Sequence, residues 1–331
     1  MRPVARRRAR ALFDLVAGFT YSQALAACIE TRLLEHLRDM PQSAATLAAR
    51  IDLPVEATER LLRTAAGLGF TQRLGDRWTL GSEGAALLGN PGIAEMVVHH
   101  RLLYADLADP LTLLRRGGGG GALSAHWHYA EASGTGDAAA VAPYSALMAA
   151  SQPMVAAQAL AAYRFDQHTR ILDIGGGEGA FLSAVAQAVP GLQRGLFDLP
   201  AVGERARARL GAGVAIHGGD FLSDALPGGY DLVTLIRVLH DHDDAPAMTL
   251  LRAIRAALPP GGTLLIAEPM AETPGAGGVG SYFELYLLAM GSGRPRSMIE
   301  IGAMLQAAGF ARVRPLKTHL PLVASAIVAT T

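Results

Sequence analysis

From Arg170 onward the chain alternates short apolar runs with helical stretches: RILDIG, QRGLFDL, GVAIHGG, YDLVTLIRVL and GTLLIAEP. Parallel strands need a crossover of a dozen or more residues between them, and helical stretches of that length separate these runs. Their near-continuous Val, Ile and Leu content predicts a parallel sheet covered by helices on both faces. Two later runs, ARVRPL and PLVASAIVA, fit an antiparallel edge. The fold class is therefore α/β for this half.

The first half reads differently. From Leu12 to Leu37 apolar residues recur at helical spacing, which predicts one or two largely buried helices packed against more than one neighbour, a second subunit among them. The next stretch predicts a helix opening near Ser43, a turn at Asp52 to Pro54, a second helix to about Leu68 and two short strands around Gly75 and Asp76. Helix, turn, helix and hairpin make a winged helix-turn-helix pattern. A DNA reader needs basic and amide residues where its second helix begins, and PVEATER offers Glu56 and Glu59 there. The wing is read as structural, with no nucleic-acid partner. RRGGGGGALS, Arg115 to Ser124, is a flexible run by composition. A helix is predicted from about Tyr144 to Ala162, with the domain boundary at 142/143.

Composition narrows the chemistry. At 331 residues the chain is long enough for two cores, and its net charge of zero removes a broad basic footprint despite the basic start MRPVARRRAR. Cys28 is the single cysteine, which excludes intrachain disulfides and thiolate zinc sites. Lys317 is the only lysine, so a P-loop is excluded. No window approaches eighteen uninterrupted apolar residues, so no membrane-spanning helix is expected and the chain is read as soluble.

ILDIGGGEGAF places Gly175, Gly177 and Gly179 at a strand-to-helix turn, where glycine lets the backbone approach a ligand. The last glycine comes one residue too early for the dinucleotide pattern G-x-G-x-x-G. Asp198 ends the next run, where a carboxylate can accept both ribose hydroxyls. Asp220 ends the third, beside Phe221, an acid for an exocyclic amine and a ring for adenine. Singly, Asp198 could be a helix cap and Phe221 core. Together, on one sheet edge and with no cation in the loop to meet phosphates, they fit S-adenosylmethionine.

After the fourth run comes RVLHDHDDA, Arg237 to Ala245. Its residues leave three readings open: a metal site, with His240 and Asp244 four apart and His242 and Asp243 joining them; a polar loop; or a base, His240, supported by carboxylates. Nothing else in the sequence completes a metal sphere, and none is expected. His242, Asp243 and Asp244 fit the start of a helix, where the dipole favours acids.

Taken together, the sequence resembles the cation-independent small-molecule O-methyltransferases, a family that includes plant caffeate and bacterial polyketide enzymes. LDIGGGEGAF, GLFDLP, GGDF, VLHDHDD and GGTLLIAEP carry the likeness, which runs over nearly the whole chain. FDLVAGFTYSQ, LLYADLADPLTLLR, RVLHDHDDA and LLAMGSGRPRS are similar to a carotenoid-modifying branch. The resemblance implies a helical, winged-helix dimerisation domain over 1–142 that also lines the substrate site. It implies a Rossmann-like class I methyltransferase domain over 143–331, with a seven-stranded, mostly parallel sheet. S-adenosylmethionine would be held by Asp173, Gly175, Gly177, Asp198, Asp220, Phe221 and Arg237; His240 would be the base, with Asp241 and Glu268 beside it.

Two positions depart from the family pattern. His242 stands where an aromatic usually follows LHD, and Pro295 stands where a later segment carries a second acid, so a single carboxylate holds His240. The acceptor implied is a lipophilic small molecule, the tertiary hydroxyl of an acyclic carotenoid, with a polyketide or phenolic acceptor as the alternative. Tyr282, Phe283, Tyr286, Leu287 and Met290 either line its pocket or are core. A homodimer in the cytoplasm, touching the membrane surface to collect its substrate, completes this reading. Its rival is a winged-helix regulator that binds S-adenosylmethionine without catalysis.

Overall fold

The computed structural model describes residues 2–126 and 151–331. They form two compact units, Met1–Arg101 and Leu102–Thr331. The boundary expected at 142/143 lies outside the described residues, as does the predicted helix between 144 and 150; residues 151–162 are helical. The division falls earlier because Leu103, Leu113 and Leu123 share a core with Tyr286, Leu287 and Met290 of the second unit.

In the first unit, α1 (Arg2–Glu30) is one long helix. α2 (Ala44–Ile51) begins at Ser43, whose hydroxyl accepts the Thr46 N–H, and ends at Asp52 in a left-handed conformation, φ 54°. That conformation turns the chain into α3 (Val55–Gly67), after which β1 (Thr71–Leu74) and β2 (Arg77–Leu80) pair antiparallel across Gly75 and Asp76. Leu33, Leu34, Leu37, Leu47, Leu62, Ala65 and Trp78 make the core of this winged helix. Cys28 is buried among them, and burial pushes its thiol up to about 12, so it is inert packing. Glu56 and Glu59 are paired with Arg60 and Arg63 one turn on, which leaves the start of α3 acidic.

α1 departs from expectation in two ways. It was expected to be largely buried, yet Leu12, Leu15, Val16 and Phe19 are 63% to 81% exposed. Their i, i+3, i+4, i+7 spacing puts them on one face, an exposed apolar stripe. The stretch Pro3–Glu30 is also long and apolar enough to cross a membrane by length and composition, although no uninterrupted apolar run predicts it. Small and uncharged polar residues such as Gly18, Thr20, Ser22 and Gln23 break the run without adding charge.

In the second unit seven strands follow the order β5-β4-β3-β6-β7-β9-β8. β3 (Arg170–Ile174), β4 (Gln193–Asp198), β5 (Val214–Gly218), β6 (Leu232–Ile236) and β7 (Thr263–Glu268) are parallel; β9 (Ser325–Thr330) runs antiparallel between β7 and β8 (Arg312–Leu316). Side chains alternate between two cores. Leu172, Ile174, Val233, Leu235, Leu264 and Ile266 meet the helices Asp244–Ala257 and Met298–Ala307 on one face. Ile171, Leu232, Ile236 and Leu265 meet Val155, Phe181, Leu182 and Val185 on the other. Both faces being apolar, the strands read as continuous rather than alternating.

The glycine run corrects the composition reading. Gly117, Gly118, Gly119 and Gly120 all have positive φ, so the chain doubles back rather than trailing as a linker. The Gly119 N–H donates to the Leu288 carbonyl at 2.8 Å, and the Asp106 carboxylate accepts from Ala122 and Leu123 at 2.7 and 2.9 Å. A Cβ at Gly118 would stand 2.5 Å from the Leu288 carbonyl oxygen, so the run is glycine-rich for close approach.

The exposed stripe on α1 predicts self-association. Light scattering on the wild type is expected to give a dimer, and Val16→Glu with Phe19→Glu a monomer; a wild-type monomer would contradict this.

Candidate active site

Parallel pairing brings the loop after β3 and the ends of β4, β6 and β7 to one edge. Asp173 lies opposite Thr234 in the β3–β6 register, and its Oδ1 accepts the threonine hydroxyl at 2.7 Å. Its Oδ2 is buried without a hydrogen-bond partner. Burial raises this carboxyl to about 7, reinforced by the charge of Asp198, against the opposing effect of the Thr234 bond. Asp198, last in β4, accepts the Gly177 N–H through Oδ2 and the Leu199 N–H through Oδ1, both at 2.8 Å. One bond to each oxygen leaves lone pairs for two further donors. Gly175 has φ 66°, and a Cβ there would press on Val238 at 2.8 Å; at Gly177 a Cβ would meet nothing within 4 Å. The loop therefore packs through Gly175 and faces open space at Gly177.

Asp220 follows β5 and caps its own turn, Oδ1 accepting the Leu222 N–H at 2.9 Å. Phe221 packs edge-to-face on His242, ring centroids 5.2 Å apart. Arg237, just past β6, has φ 59°, a left-handed conformation that costs a non-glycine residue on the order of 1 kcal/mol. Its N–H donates to the Ala267 carbonyl at 2.9 Å and its Nη1 to the Ser151 hydroxyl at 2.8 Å, which hold it there.

His240 sits in a single 3-10 turn, Leu239–Asp241, and is 3% exposed. Nε2 lies 3.2 Å from Asp241 Oδ1, while Nδ1 is buried without a hydrogen-bond partner. A proton on Nε2 satisfies Asp241 and leaves Nδ1 a free lone pair. Burial, with the positive charges of Arg237, His242 and Arg296, lowers the imidazole to about 3, so it is neutral at any ordinary pH. Glu268, the last residue of β7, is completely buried. It lies beside His240 and bears on the backbone of the turn: Oε2 accepts the His240 backbone N–H at 3.2 Å. Oε1 has no hydrogen-bond partner. Pro295 is buried and brings no carboxylate to the site.

Family comparison decides what this edge belongs to. A family model for the O-methyltransferase domain matches residues 104–311, and one for the O-methyltransferase dimerisation domain matches 13–87. The chain belongs to the O-methyltransferase family. It is 41% identical to demethylspheroidene O-methyltransferase of Cereibacter sphaeroides over 99% of this chain and 89% of that one. To the enzyme of the same name from Rhodobacter capsulatus it is 40% identical, over 99% and 84%. Among solved structures it is similar to CalO1, a methyltransferase in calicheamicin biosynthesis in its SAH-bound form, with TM-score 0.81, 26% identity and 98% of each chain covered. The dimerisation domain supports a homodimer.

An O-methyltransferase of this family takes its methyl group from S-adenosylmethionine. The residues present fit that donor: the unpartnered Oδ2 of Asp173, the spare lone pairs of Asp198 and the open face at Gly177 are what a ribose and an amino-acid end require. The Phe283 ring lies 5.5 Å from His240 and meets Tyr282 and Tyr286 edge-to-face. Among the described residues no group of three or more His, Cys, Asp or Glu side chains is placed to hold a metal ion. His242, Asp243 and Asp244 divide their work: the first packs on Phe221, Asp243 accepts the Gly293 N–H, and Asp244 opens the helix, paired with Arg294 and Arg296. Thr234, Ser151 and Arg296 were missed from sequence, since only register and chain return bring them to this edge.

Burial also sets a pH dependence. Glu268 is raised from 4.5 to about 8, chiefly by desolvation with Asp241 adding. A carboxyl raised by folding contributes stability that is fully present below about 4.5 and is lost as pH rises through about 8. Melting temperatures of the wild type and Glu268→Gln between pH 5 and 9 are expected to diverge, the wild type losing ground as pH rises. A difference independent of pH would contradict the buried-acid account.

Proposed function

We propose that the protein methylates the tertiary hydroxyl of an acyclic carotenoid, with His240 as general base. Two relatives named for demethylspheroidene, matched over 99% of this chain, support the acceptor. The buried, unpartnered Nδ1 of His240 supports the base, and this is the observation that carries the mechanism.

S-adenosylmethionine supplies an activated methyl on a sulfonium. The protein's task is to align the acceptor oxygen and remove its proton. Asp198 would hold the ribose hydroxyls, Asp220 and Phe221 the adenine, and Asp173, Gly175, Gly177 and Arg237 the rest of the donor. His240 meets the acceptor hydroxyl through Nδ1, with Asp241 holding Nε2–H and Glu268 holding the turn. Neutral in the resting protein, the His240 ring would keep its Nδ1 lone pair free to take the acceptor proton. Tyr282, Phe283, Tyr286, Leu287 and Met290 offer the polyene an apolar wall; Tyr286, Leu287 and Met290 are buried in one core with Leu103, Leu113 and Leu123.

The enzyme works in the cytoplasm and collects its acceptor at a membrane surface. Arg6, Arg7, Arg8 and Arg10 on the first turns of α1 support that contact.

Turnover is tested with S-adenosylmethionine and an acyclic carotenoid bearing a tertiary hydroxyl, in EDTA. His240→Ala is expected to lose roughly a hundred- to ten-thousandfold in kcat with S-adenosylmethionine affinity unchanged. Asp198→Ala is expected to lose that affinity. Methylation of a phenolic acceptor and not of the carotenoid would overturn the acceptor, and near-normal turnover by His240→Ala would overturn the base.

A further inference from the structure

Four consecutive carbonyls of the turn that carries His240 are bonded by one short segment, Ser292 to Arg296. The Leu239 carbonyl accepts from Arg296 Nη1 at 2.8 Å, and the His240 carbonyl from the Arg294 backbone N–H at 3.0 Å. The Asp241 carbonyl accepts from the Ser292 hydroxyl at 2.9 Å, and the His242 carbonyl from Arg296 Nη2 at 2.7 Å. Side chains extend the contact. Asp243 accepts the Gly293 N–H at 3.0 Å, and Asp244 accepts Arg296 Nη2 at 2.7 Å and Nε at 3.0 Å. At Gly293 a Cβ would stand 2.1 Å from the His240 carbonyl oxygen, and φ is 80°, so only glycine permits this approach.

Arg296 is the largest fully buried side chain in the described structure. A buried guanidinium is costly unless every face of its fork is satisfied, and here two carbonyls and a carboxylate satisfy it. Its charge opposes protonation of His240, so it does not assist proton uptake. What it contributes is geometry. Glu268 grips the N–H side of the same turn, and Arg296 grips the carbonyl side.

We propose that Arg296, with Gly293 and Ser292, is the positioning element for His240, fixing the imidazole through its backbone where Pro295 leaves no second carboxylate to fix it through the ring. This rests on the reading of His240 as the base. Short contacts to four successive carbonyls leave the turn no freedom to rotate, and the ring direction follows from the turn. Lysine at 296 would keep the charge and lose the fork that spans Leu239, His242 and Asp244.

The test compares Arg296→Lys, Gly293→Ala and the solvent-facing Ser292→Ala. Arg296→Lys and Gly293→Ala are expected to lose on the order of a hundredfold in kcat, with acceptor KM and S-adenosylmethionine affinity nearly unchanged. Ser292→Ala, which keeps three of the four carbonyl bonds, is expected to lose several-fold by the same split. In ¹⁵N-histidine spectra the wild type is expected to show one His240 tautomer, and the variants an average of two. Should Gly293→Ala fail to fold, the other two variants carry the comparison. Folded variants with unchanged kcat and unchanged ring shifts would overturn the proposal. If the wild type leaves the hydroxylated carotenoid unmethylated, the acceptor reading fails, while the ring shifts still decide whether the segment positions His240.

Discussion

Parallel hydrogen-bond register across β5, β4, β3, β6 and β7 is the constraint on which this site depends. Because the five strands point one way, their carboxyl ends line a single edge, and residues far apart in sequence arrive there side by side. Asp173 faces Thr234 because the two are register partners, and Ile236 pairs with Ala267, which brings Arg237 to the end of β7. Shifting one strand by a residue would turn every one of these side chains to the other face. Close-packed side chains in the cores on both faces oppose that shift, so packing far from the site fixes its geometry.

Desolvation then sets the chemistry. The edge lies where the sheet meets its covering helices, so Asp173, Glu268 and His240 are nearly or wholly buried and each is driven toward its neutral form. Neutral groups cost less to bury, and each keeps one atom without a partner: Oδ2 of Asp173, Oε1 of Glu268, Nδ1 of His240. Buried polar atoms without partners are rare in folded chains, and these three gather on one strand edge, which supports the proposed site there. The cost is borne by the packed sheet beneath.

Much of this was legible in the sequence because it is local. Strand runs, the glycine turn, the acids closing β4 and following β5, and the winged helix with its Ser43 cap all announce themselves within a dozen residues. What stayed hidden depends on distant partners. The sequence puts Glu268 beside His240 but does not show that its Oε2 accepts the backbone N–H of that residue, since sequence cannot tell a bond to a backbone N–H from one to a side chain. GRPRS drew attention for the acid it lacks, whereas its buried Arg296 shows only when the chain returns to the His240 turn. The glycine run reads as flexible because composition does not distinguish freedom from close approach; the Leu288 carbonyl against it does. α1 was expected to be largely buried because its apolar residues recur at helical spacing, and spacing does not say that Leu12, Leu15 and Val16 are exposed on one face.

The central claim is that this strand edge delivers His240 to the oxygen that is methylated. A crystal structure with S-adenosylhomocysteine and the hydroxylated acyclic carotenoid bound tests it most directly. The account predicts the acceptor oxygen within hydrogen-bond reach of His240 Nδ1, with the ribose hydroxyls on Asp198. An acceptor oxygen out of reach of His240, or a ribose held elsewhere than at the end of β4, would contradict it.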